Sequence, residues 1–320
     1  MGRADFHTAF DSLCPVIGER AGVRGQSERE SWIASRICVR ITRMNLPQIP
    51  TAVLSARGLE STSYTAISLA DAVTKEPDGV YTTARTYQRD RVLLFDDHID
   101  RLEQSARLVG LNIQPDRKAI RQALRTLIDQ AGYAESRFRI SVPHAVPDTL
   151  ILSIEPYQPV PPGILEDGAR CATVQIERHN PAAKTTAWMT DRKSATDNLP
   201  PGTYEGLLVT PEGALLEGLS SNFYAVLDGT LHTAGDGVLP GMAQKIVLSL
   251  APDLLPVALT PITINDLRFI DEAFISSAGR GVVPVIMVNT QVIGNMRPSS
   301  TTLALRDRYN AYADAHMELL

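Results

Sequence analysis

Lysine is scarce in this chain, and one of its lysines has neighbours suited to covalent chemistry on a carbonyl compound. Of the 31 lysine and arginine residues, five are lysines: Lys75, Lys118, Lys184, Lys193 and Lys245. A neutral lysine amine attacks aldehydes to form a Schiff base, and burial near other cations lowers its pKa enough to keep it neutral. Lys184 follows a proline and two alanines, whose small side chains permit close approach of the backbone. Lys193 is the rival, but its neighbours at 191–194 are typical of a solvated helical turn.

Residues after Lys184 are suited to a cofactor that carries an aldehyde, an aromatic ring nitrogen and a phosphate. Glu217 follows two leucines and precedes Gly-Leu-Ser-Ser-Asn222, which is unlike an exposed loop. A carboxylate there could hold a proton on a ring nitrogen. The segment from Leu239 to Ala243 opens a predicted helix, and the unpaired N–H groups of a helix N-terminus bind phosphate.

Taken in order, these motifs resemble the class IV aminotransferases, the pyridoxal-phosphate enzymes of fold type IV. That family includes branched-chain aminotransferases, D-amino-acid aminotransferases and aminodeoxychorismate lyase. The resemblance extends from about Asp78 to Val288. It rests on His98-Ile-Asp-Arg101-Leu, on Glu217-Gly-Leu-Ser-Ser-Asn222 and on Leu239-Pro-Gly-Met-Ala243 as an ordered set.

The resemblance implies a role for each matching residue around pyridoxal 5′-phosphate. Lys184 would carry the cofactor as a Schiff base and shuttle the proton, since its spacing of 33 residues to Glu217 fits the family better than the 24 residues from Lys193. Glu217 would face the pyridine nitrogen and Leu239 would pack on the ring. The phosphate would be held by Arg101, Met242, Ala243, Ser277 and Ala278. Many family members have threonine where Ala243 and Ala278 stand, so hydroxyl contacts could be lost here.

The substrate side of the predicted site lies on a strand over residues 80–87. Alternation along this strand places Tyr81, which matches an aromatic residue near the substrate in relatives, on the same face as Arg85. Arg85 could bind an α-carboxylate bidentately or could be an exposed arginine on an edge strand. Arg139 is a second candidate. D-amino-acid aminotransferases place an arginine and a histidine after the strand that carries Arg139, and proline and histidine stand at 143–144 instead.

The function that the resemblance implies is a transaminase that exchanges an amino group between an amino acid and a 2-oxo acid. The alternatives are a lyase that releases pyruvate from aminodeoxychorismate and an amine-specific transaminase. A non-catalytic protein that binds the cofactor is a further alternative, which the presence of both Lys184 and Glu217 disfavours. The resemblance also implies a homodimer with the site between two domains.

The helices and strands expected around these residues predict an α+β chain of two domains. The first is a small α/β N-terminal domain, and the second is a larger β-barrel-like domain that contains the lysine. We expect a disordered extension over residues 1–43, which mixes seven arginines with five acidic residues. The small domain would cover 44–157, a proline-rich helix-free connector 158–163, and the larger domain 164–320.

Local patterns predict the elements inside these domains. A hairpin is expected around residues 80–95, followed by a helix that Asp96 or Asp97 caps. The next helix has an apolar stripe from Ile120 to Ile128 and stops at Gly132. Further strands are expected near residues 138–142, 149–154, 172–177, 206–210, 214–216 and 222–227, and further helices after Gly241 and from about Thr301.

Composition excludes several other classes of function. The formal net charge of −5 provides no large positive field, so we expect neither nucleic acid nor a membrane surface as a partner. Cys14, Cys38 and Cys171 are widely spaced and odd in number, which argues against a disulfide framework or a zinc site, and no metal is expected. No apolar run approaches the length of a spanning helix, so we expect a soluble, cytoplasmic enzyme.

Overall fold

The structure is a computed structural model and describes residues 47–320. The extension predicted over residues 1–43 lies outside the described residues. The strands are β1 (Thr51–Ser55), β2 (Gly58–Ser61), β3 (Gly79–Tyr87), β4 (Arg91–Leu93), β5 (Ser136–Pro143), β6 (Leu150–Pro156), β7 (Ala169–Val174), β8 (Glu205–Val209), β9 (Leu215–Gly218), β10 (Asn222–Leu227), β11 (Thr230–His232), β12 (Val257–Ala258), β13 (Glu272–Ser277), β14 (Gly281–Val288), β15 (Gln291–Val292) and β16 (Met317–Leu319). The helices are α1 (Leu69–Val73), α2 (Phe95–Leu108), α3 (Arg117–Ala131), α4 (Pro162–Asp167), α5 (Thr186–Asp197), α6 (Met242–Leu250) and α7 (Ser300–His316).

The first sheet has seven strands in the order β16-β4-β3-β5-β6-β1-β2. Its two longest strands, β3 and β5, pair antiparallel from Gly79 opposite Pro143 to Arg85 opposite Arg137. Because successive side chains of a strand point to opposite faces, one face of β3 and β5 packs its apolar residues against α2 and α3. The other face carries Tyr81 and Arg137 toward the cavity described below.

The second sheet closes into a barrel. Its nine strands include a path β10-β13-β14-β7-β8-β9, and the pairing of Asn222 with Glu217 joins β10 to β9, so six strands form a closed ring. A parallel neighbour needs a crossover connection, and β7 runs parallel to β8. The crossover contains Lys184 and α5, which places this lysine outside the ring. The predicted barrel-like fold is therefore confirmed, with helices on its outside.

Several locally predicted elements are confirmed, and one predicted helix cap is wrong. The hairpin is β3 and β4, and α3 ends at Gly132, which adopts φ 63°. Helix α2, however, is not capped by Asp96 or Asp97, because its N-cap is Leu94 in the left-handed conformation. The chain passes directly from β4 into the helix, so both aspartates fall in the first helical turn, where their charges still favour the helix dipole.

The proline-rich connector is extended only in part. Helix α4 begins at Pro162, so the prediction that 158–163 is helix-free is wrong for its last residues. Proline is compatible with the first turn of a helix because its missing N–H has no intrahelical partner there and its fixed φ is already helical. The domain boundary itself stays a prediction.

Strand β16 is an element that local patterns did not predict. It pairs antiparallel with β4, which attaches the end of the chain to the first sheet. Glu318 on this strand accepts a hydrogen bond from the backbone N of Phe95, at the start of α2. Within residues 47–320, no helix combines the length and the hydropathy needed to cross a membrane. The same residues contain no group of three or more His, Cys, Asp or Glu side chains placed to hold a metal ion.

Candidate active site

A cavity of about 330 Å³ lies between the first sheet and the barrel. It is lined by residues from β3 and β5, from the crossover that carries Lys184, and from the turns at one end of the barrel. Eight of the residues predicted from the sequence line it: Tyr81, Arg101, Lys184, Glu217, Leu239, Met242, Ser277 and Ala278. The structure thus brings together groups that are up to about 200 positions apart in the sequence.

Lys184 is held in place by its backbone, which leaves its amine free to face the cavity. Its N–H donates to the hydroxyl of Ser105 on α2 at 3.0 Å, and its carbonyl accepts from the N–H of Tyr81 at 2.9 Å. The next residue, Thr185, bridges to Val80, so the crossover lies along β3 as an added strand-like segment. Nζ of Lys184 is 4.8 Å from the ring centroid of Tyr81.

The surroundings of Lys184 hold the pKa of its amine well below the ordinary value. Burial is the largest cause, since it disfavours the charged form, and the charges of Arg101, Arg192 and Arg178 add to it. Glu217 acts in the opposite direction but does not outweigh them. This environment favours the neutral amine over the ammonium ion, and the neutral amine is the form that attacks carbonyl carbon.

Glu217 faces the same cavity from β9 and has partners on both carboxylate oxygens. Its Oε1 accepts a 2.5 Å hydrogen bond from Nη1 of Arg178, and its Oε2 accepts from the backbone N–H of Leu239 at 3.1 Å. Burial raises the pKa of Glu217, whereas the charge of Arg178 and the N–H of Leu239 oppose that rise. The carboxylate is thereby fixed in position at the cavity wall.

Arg101 is a buried cation without a carboxylate partner among the described residues. It projects from α2, is 6% exposed, and donates to the carbonyl of Pro240 at 3.3 Å and to the hydroxyl of Thr82 at 3.2 Å. Its Nε has no hydrogen-bond partner there. Burial lowers the pKa of Arg101 to about 10. Arg101 forms no ion pair with Asp97 of the same helix, because Asp97 pairs with Lys245.

The N-terminus of α6 opens toward this guanidinium. Gly241 precedes the helix and approaches Asn222 so closely that a Cβ atom there would lie 2.1 Å from Oδ1 of Asn222. Asn222 in turn donates from Nδ2 to the carbonyl of Leu239 at 2.9 Å. Met242 lines the cavity, whereas the methyl group of Ala243 is buried in the apolar cluster around α6. Of Ala243, only the backbone N–H and not the side chain is therefore placed for an anion.

Ser277 and Ala278 stand at the turn between β13 and β14. The hydroxyl of Ser277 accepts from Nε of Arg280 at 3.0 Å. Arg280 also donates from Nη2 to Oε2 of Glu205 at 2.8 Å and to the carbonyl of Ser220 at 3.0 Å. This arginine joins two turns at the cavity rim, and its charge is partly neutralised by Glu205.

The two arginines predicted for the substrate side are not among the residues that line the cavity. The guanidinium of Arg85 lies over the rings of Tyr87 and Tyr157, with Cζ 4.0 and 4.3 Å from their centroids. Arg139 is 1% exposed and donates to Glu76 at 2.5 Å and to the carbonyl of Leu69 at 2.8 Å. These contacts hold both guanidinium groups away from the cavity. Alternation along the strand predicted the face on which Arg85 and Arg139 lie, but it could not predict these contacts.

Four arginines of the cavity wall carried no predicted role: Arg280, described above, and Arg137, Arg178 and Arg192. Arg137 stands two positions before Arg139 on β5, and Arg192 follows Lys184 by eight positions on α5. Arg178 precedes Lys184 by six positions in an irregular segment. Their spacing from Lys184 is the only sequence signal for Arg178 and Arg192, and it becomes meaningful only once the crossover is folded.

A comparison with protein-family models matches residues 79–288 to amino-transferase class IV. A protein of Methanocaldococcus jannaschii assigned as a branched-chain-amino-acid aminotransferase is 27% identical over 251 residues, which are 72% of this chain and 86% of that protein. A D-alanine aminotransferase of Staphylococcus aureus is 24% identical over 267 residues, 75% of this chain and 89% of that protein.

A solved structure is similar in fold. The branched-chain aminotransferase from the thermophilic archaeon Thermoproteus uzoniensis, solved with norvaline, has a TM-score of 0.70 to this chain at 20% sequence identity. The similarity covers 85% of this chain and 99% of that structure. It therefore includes both the first sheet and the barrel.

Proposed function

The chain belongs to the class IV aminotransferases, and on this premise we propose that it is a pyridoxal-phosphate-dependent transaminase acting on an amino acid and a 2-oxo acid. One observation carries the proposal. The amine of Lys184 and the carboxylate of Glu217 line one cavity with a buried guanidinium, Arg101, whose hydrogen bonds go to a carbonyl and a hydroxyl rather than to an acid. These groups match an aldehyde, a ring nitrogen and a phosphate respectively.

The residues present fit pyridoxal phosphate. When bound, the cofactor supplies an aldehyde that links to amines and a protonated ring that withdraws electrons from the bond being broken. Arg101 supports the phosphate end of the proposal, because a buried cation with an unpaired Nε is costly unless an anion joins it. The N–H groups of Met242 and Ala243 would add donors at the helix N-terminus, and Ser277 would add a hydroxyl.

Lys184 would serve as both amine and base. Its lowered pKa favours the unprotonated form of Nζ, so Nζ would be able to attack a carbonyl and later to accept a proton from the substrate α-carbon. The backbone contacts with Ser105 and Tyr81 fix the start of the side chain while its methylene groups stay free to move. Such freedom is needed by a group that carries a proton between two atoms.

Glu217 would hold a proton on the ring nitrogen. A carboxylate can do this only if it stays ionised, and burial alone works against ionisation. Arg178 and the N–H of Leu239 oppose that effect in part, so these two groups would position the carboxylate and support its charge. Leu239 itself lines the cavity and would pack against the ring face.

Tyr81 would complete the site beside Lys184. Its ring lies 4.8 Å from Nζ and would exclude water from that side of the amine. Arg85 and Arg139 are not part of the proposal, since their guanidinium groups are occupied elsewhere.

The test is a panel of L-amino acids, D-amino acids and primary amines, each assayed with 2-oxoglutarate and with pyruvate on cofactor-loaded protein. We expect amino-group transfer from at least one amino acid. Release of pyruvate from aminodeoxychorismate without any transfer would support a lyase instead, and transfer from amines alone would contradict the amino-acid assignment.

The proposal also includes a homodimer and a cytoplasmic location. Family resemblance supports the dimer, and light scattering on the purified protein would give its mass. The free, buried thiol of Cys171 is compatible with a reducing compartment.

A further inference from the structure

The cavity wall has a strong excess of positive charge. Among the residues that line it, Glu217 is the one acid, whereas the bases are Arg101, Arg137, Arg178, Lys184, Arg192 and Arg280. One phosphate does not balance this set, because four arginines remain beyond Arg101 even when Lys184 is left out of the count. A second anion, or a second anionic group on the substrate, is therefore expected in the cavity.

Two of those four arginines are committed to buried carboxylates. Arg178 pairs with Glu217 at 2.5 Å, and Arg280 pairs with Glu205 at 2.8 Å. In both pairs the acid side chain is at most 5% exposed, so the charge of each guanidinium is at least partly offset by its own buried carboxylate. Of the four arginines, Arg137 and Arg192 are left without a buried carboxylate partner of this kind.

Arg192 is fixed in position but keeps its full charge. Its Nη1 donates to the backbone carbonyl of Leu219 at 2.9 Å, and Nε1 of Trp188, one helical turn earlier, donates to the same oxygen at 3.3 Å. Within the described residues, no carboxylate lies within ion-pair distance of this guanidinium. The helix thus presents an oriented cation whose other donors are available to a ligand.

Arg137 approaches the cavity from the first sheet. Its ion pair is with Glu155 at 3.3 Å, and its side chain is 47% exposed because it borders the open cavity. Glu155 is shared, since its Oε2 also accepts from the backbone N–H of Leu69. Desolvation by the surrounding protein lowers the pKa of Arg137, Glu155 partly restores it, and the charge of Arg192 lowers it again. That repulsion agrees with two guanidinium groups that border one cavity.

From this arrangement we propose that Arg137 and Arg192 form a two-arginine clamp that binds a carboxylate of the substrate, with one arginine contributed by each side of the cavity. The inference rests on the proposed function and identifies the substrates as carboxylic acids rather than simple amines. An anion between two like charges relieves their repulsion and accepts several charge-assisted hydrogen bonds. The carboxylate is either the α-carboxylate or the distal carboxylate of a dicarboxylic acid.

The clamp also connects substrate binding to the reacting amine. The charge of Arg192 contributes to the lowered pKa of Lys184. A carboxylate on Arg192 offsets that charge, so the amine binds a proton more readily once the substrate is in place. The same carboxylate that confers specificity thereby prepares Lys184 to accept the α-proton.

The experiment measures binding of two unreactive acids, butyrate and glutarate, to cofactor-loaded protein by titration calorimetry. The variants are Arg137→Gln, Arg192→Gln and the double variant. We expect each single variant to raise Kd about 10- to 100-fold, as lost charge-assisted hydrogen bonds do. The double variant should lose little more than either single one, because the clamp acts as a unit. Lys193→Gln is the matched control, since this exposed neighbour pairs with Asp197 and should leave both Kd values unchanged.

The two acids distinguish the two sources of the carboxylate. Weaker binding of both acids assigns the clamp to the carboxylate that they share, and weaker binding of glutarate alone assigns it to the distal group. Arg192→Lys should restore part of the affinity, which a merely structural role would not predict. Unchanged Kd values for both acids in both single variants would overturn the proposal.

The clamp and the proposed function fail separately. Should wild-type protein bind the acids through these arginines and yet transfer no amino group, the clamp stands and the transaminase proposal fails. Amino-group transfer from amino acids with a KM that neither substitution changes would remove the clamp and leave the transaminase.

Discussion

Nη1 of Arg178 lies 2.5 Å from Oε1 of Glu217, and both side chains are buried, at 6% and 3% exposure. In the unfolded chain the two side chains are not held together as an ion pair, because 39 positions separate them. The pair is formed by the crossover that follows β7 and by the strand that closes the barrel. The carboxylate of Glu217 therefore gains its cation only when the crossover has folded against the closed barrel.

Arg178→Met should weaken both stability and activity. Removal of one partner leaves a buried carboxylate without its cation, which typically costs about 3–5 kcal/mol of unfolding free energy. Because Arg178 lowers the pKa of Glu217, its loss should raise that pKa further, and activity should begin to fall at a higher pH as the medium is acidified. Urea unfolding and a pH–rate profile would measure the two effects.

Arg308→Met is the control for that substitution. Arg308 pairs with Asp253 on the surface, where both side chains are well exposed. Its removal should change the unfolding free energy by no more than about 0.5 kcal/mol and should leave the pH profile unchanged. Equal effects of the two substitutions would contradict the role assigned to Arg178.

Arg101→Gln should weaken binding of pyridoxal phosphate but not of pyridoxal, which lacks the phosphate. A hydrogen bond to a charged group contributes about 1.5–3 kcal/mol, so the Kd for pyridoxal phosphate should rise about 10- to 100-fold. Fluorescence titration of cofactor-free protein with each compound would measure this. Arg107→Gln, at the exposed end of the same helix, is the control. Equal losses for both ligands would show that Arg101 shapes the site without contacting phosphate.

Glu76→Gln should destabilise the protein through Arg139. Glu76 and Arg139 are each 1% exposed at the side chain, and Tyr64 also donates to Glu76 at 2.7 Å. Loss of the carboxylate charge leaves the Arg139 guanidinium buried and unpaired, at a cost of about 3–5 kcal/mol. Denaturant unfolding would measure it, with the exposed Glu60→Gln as control. A large rise in the KM for amino acids without destabilisation would instead restore Arg139 as a substrate residue.

The lowered pKa of Lys184 makes the stability of cofactor-free protein depend on pH. An unfolded lysine has its ordinary pKa of about 10.4, so between the folded and unfolded values the unfolded chain binds more protons. The free energy of unfolding should therefore rise with pH across that window. In Lys184→Met the rise should be smaller. Urea midpoints at several pH values would test this, and Lys193→Met, at an exposed lysine, should behave as wild type.

The parts of the fold that follow from local patterns could be predicted. The stripe from Ile120 to Ile128 and the stop at Gly132 give α3, and the alternation around residues 80–95 gives the hairpin. Lys184 and Glu217 could be selected as candidates because their order along the chain is specific, and both line one cavity in the structure. None of these inferences required knowledge of which distant residues meet.

The features of the fold and of the site that local patterns did not predict depend on residues far apart in the sequence. Arg139 is an apparent substrate residue until Glu76 is seen beside it, 63 positions away. The N-terminus of α2 is satisfied by Glu318, 223 positions from Phe95, so the nearby aspartates were the natural but incorrect candidates. Arg178 and Arg192 acquire a role only when the crossover folds against the cavity, and an arginine in an irregular segment gives no periodic signal.

We propose Lys184 as the residue that links covalently to the cofactor. Borohydride reduction of cofactor-loaded protein, followed by peptide mass spectrometry, would identify this residue. We predict that the pyridoxyl group is found on Lys184, and that Lys184→Ala shows neither this adduct nor the visible absorbance of the lysine-bound cofactor, whereas Lys193→Ala shows both. A stable adduct on another lysine, or full activity in Lys184→Ala, would show that Lys184 does not carry the cofactor.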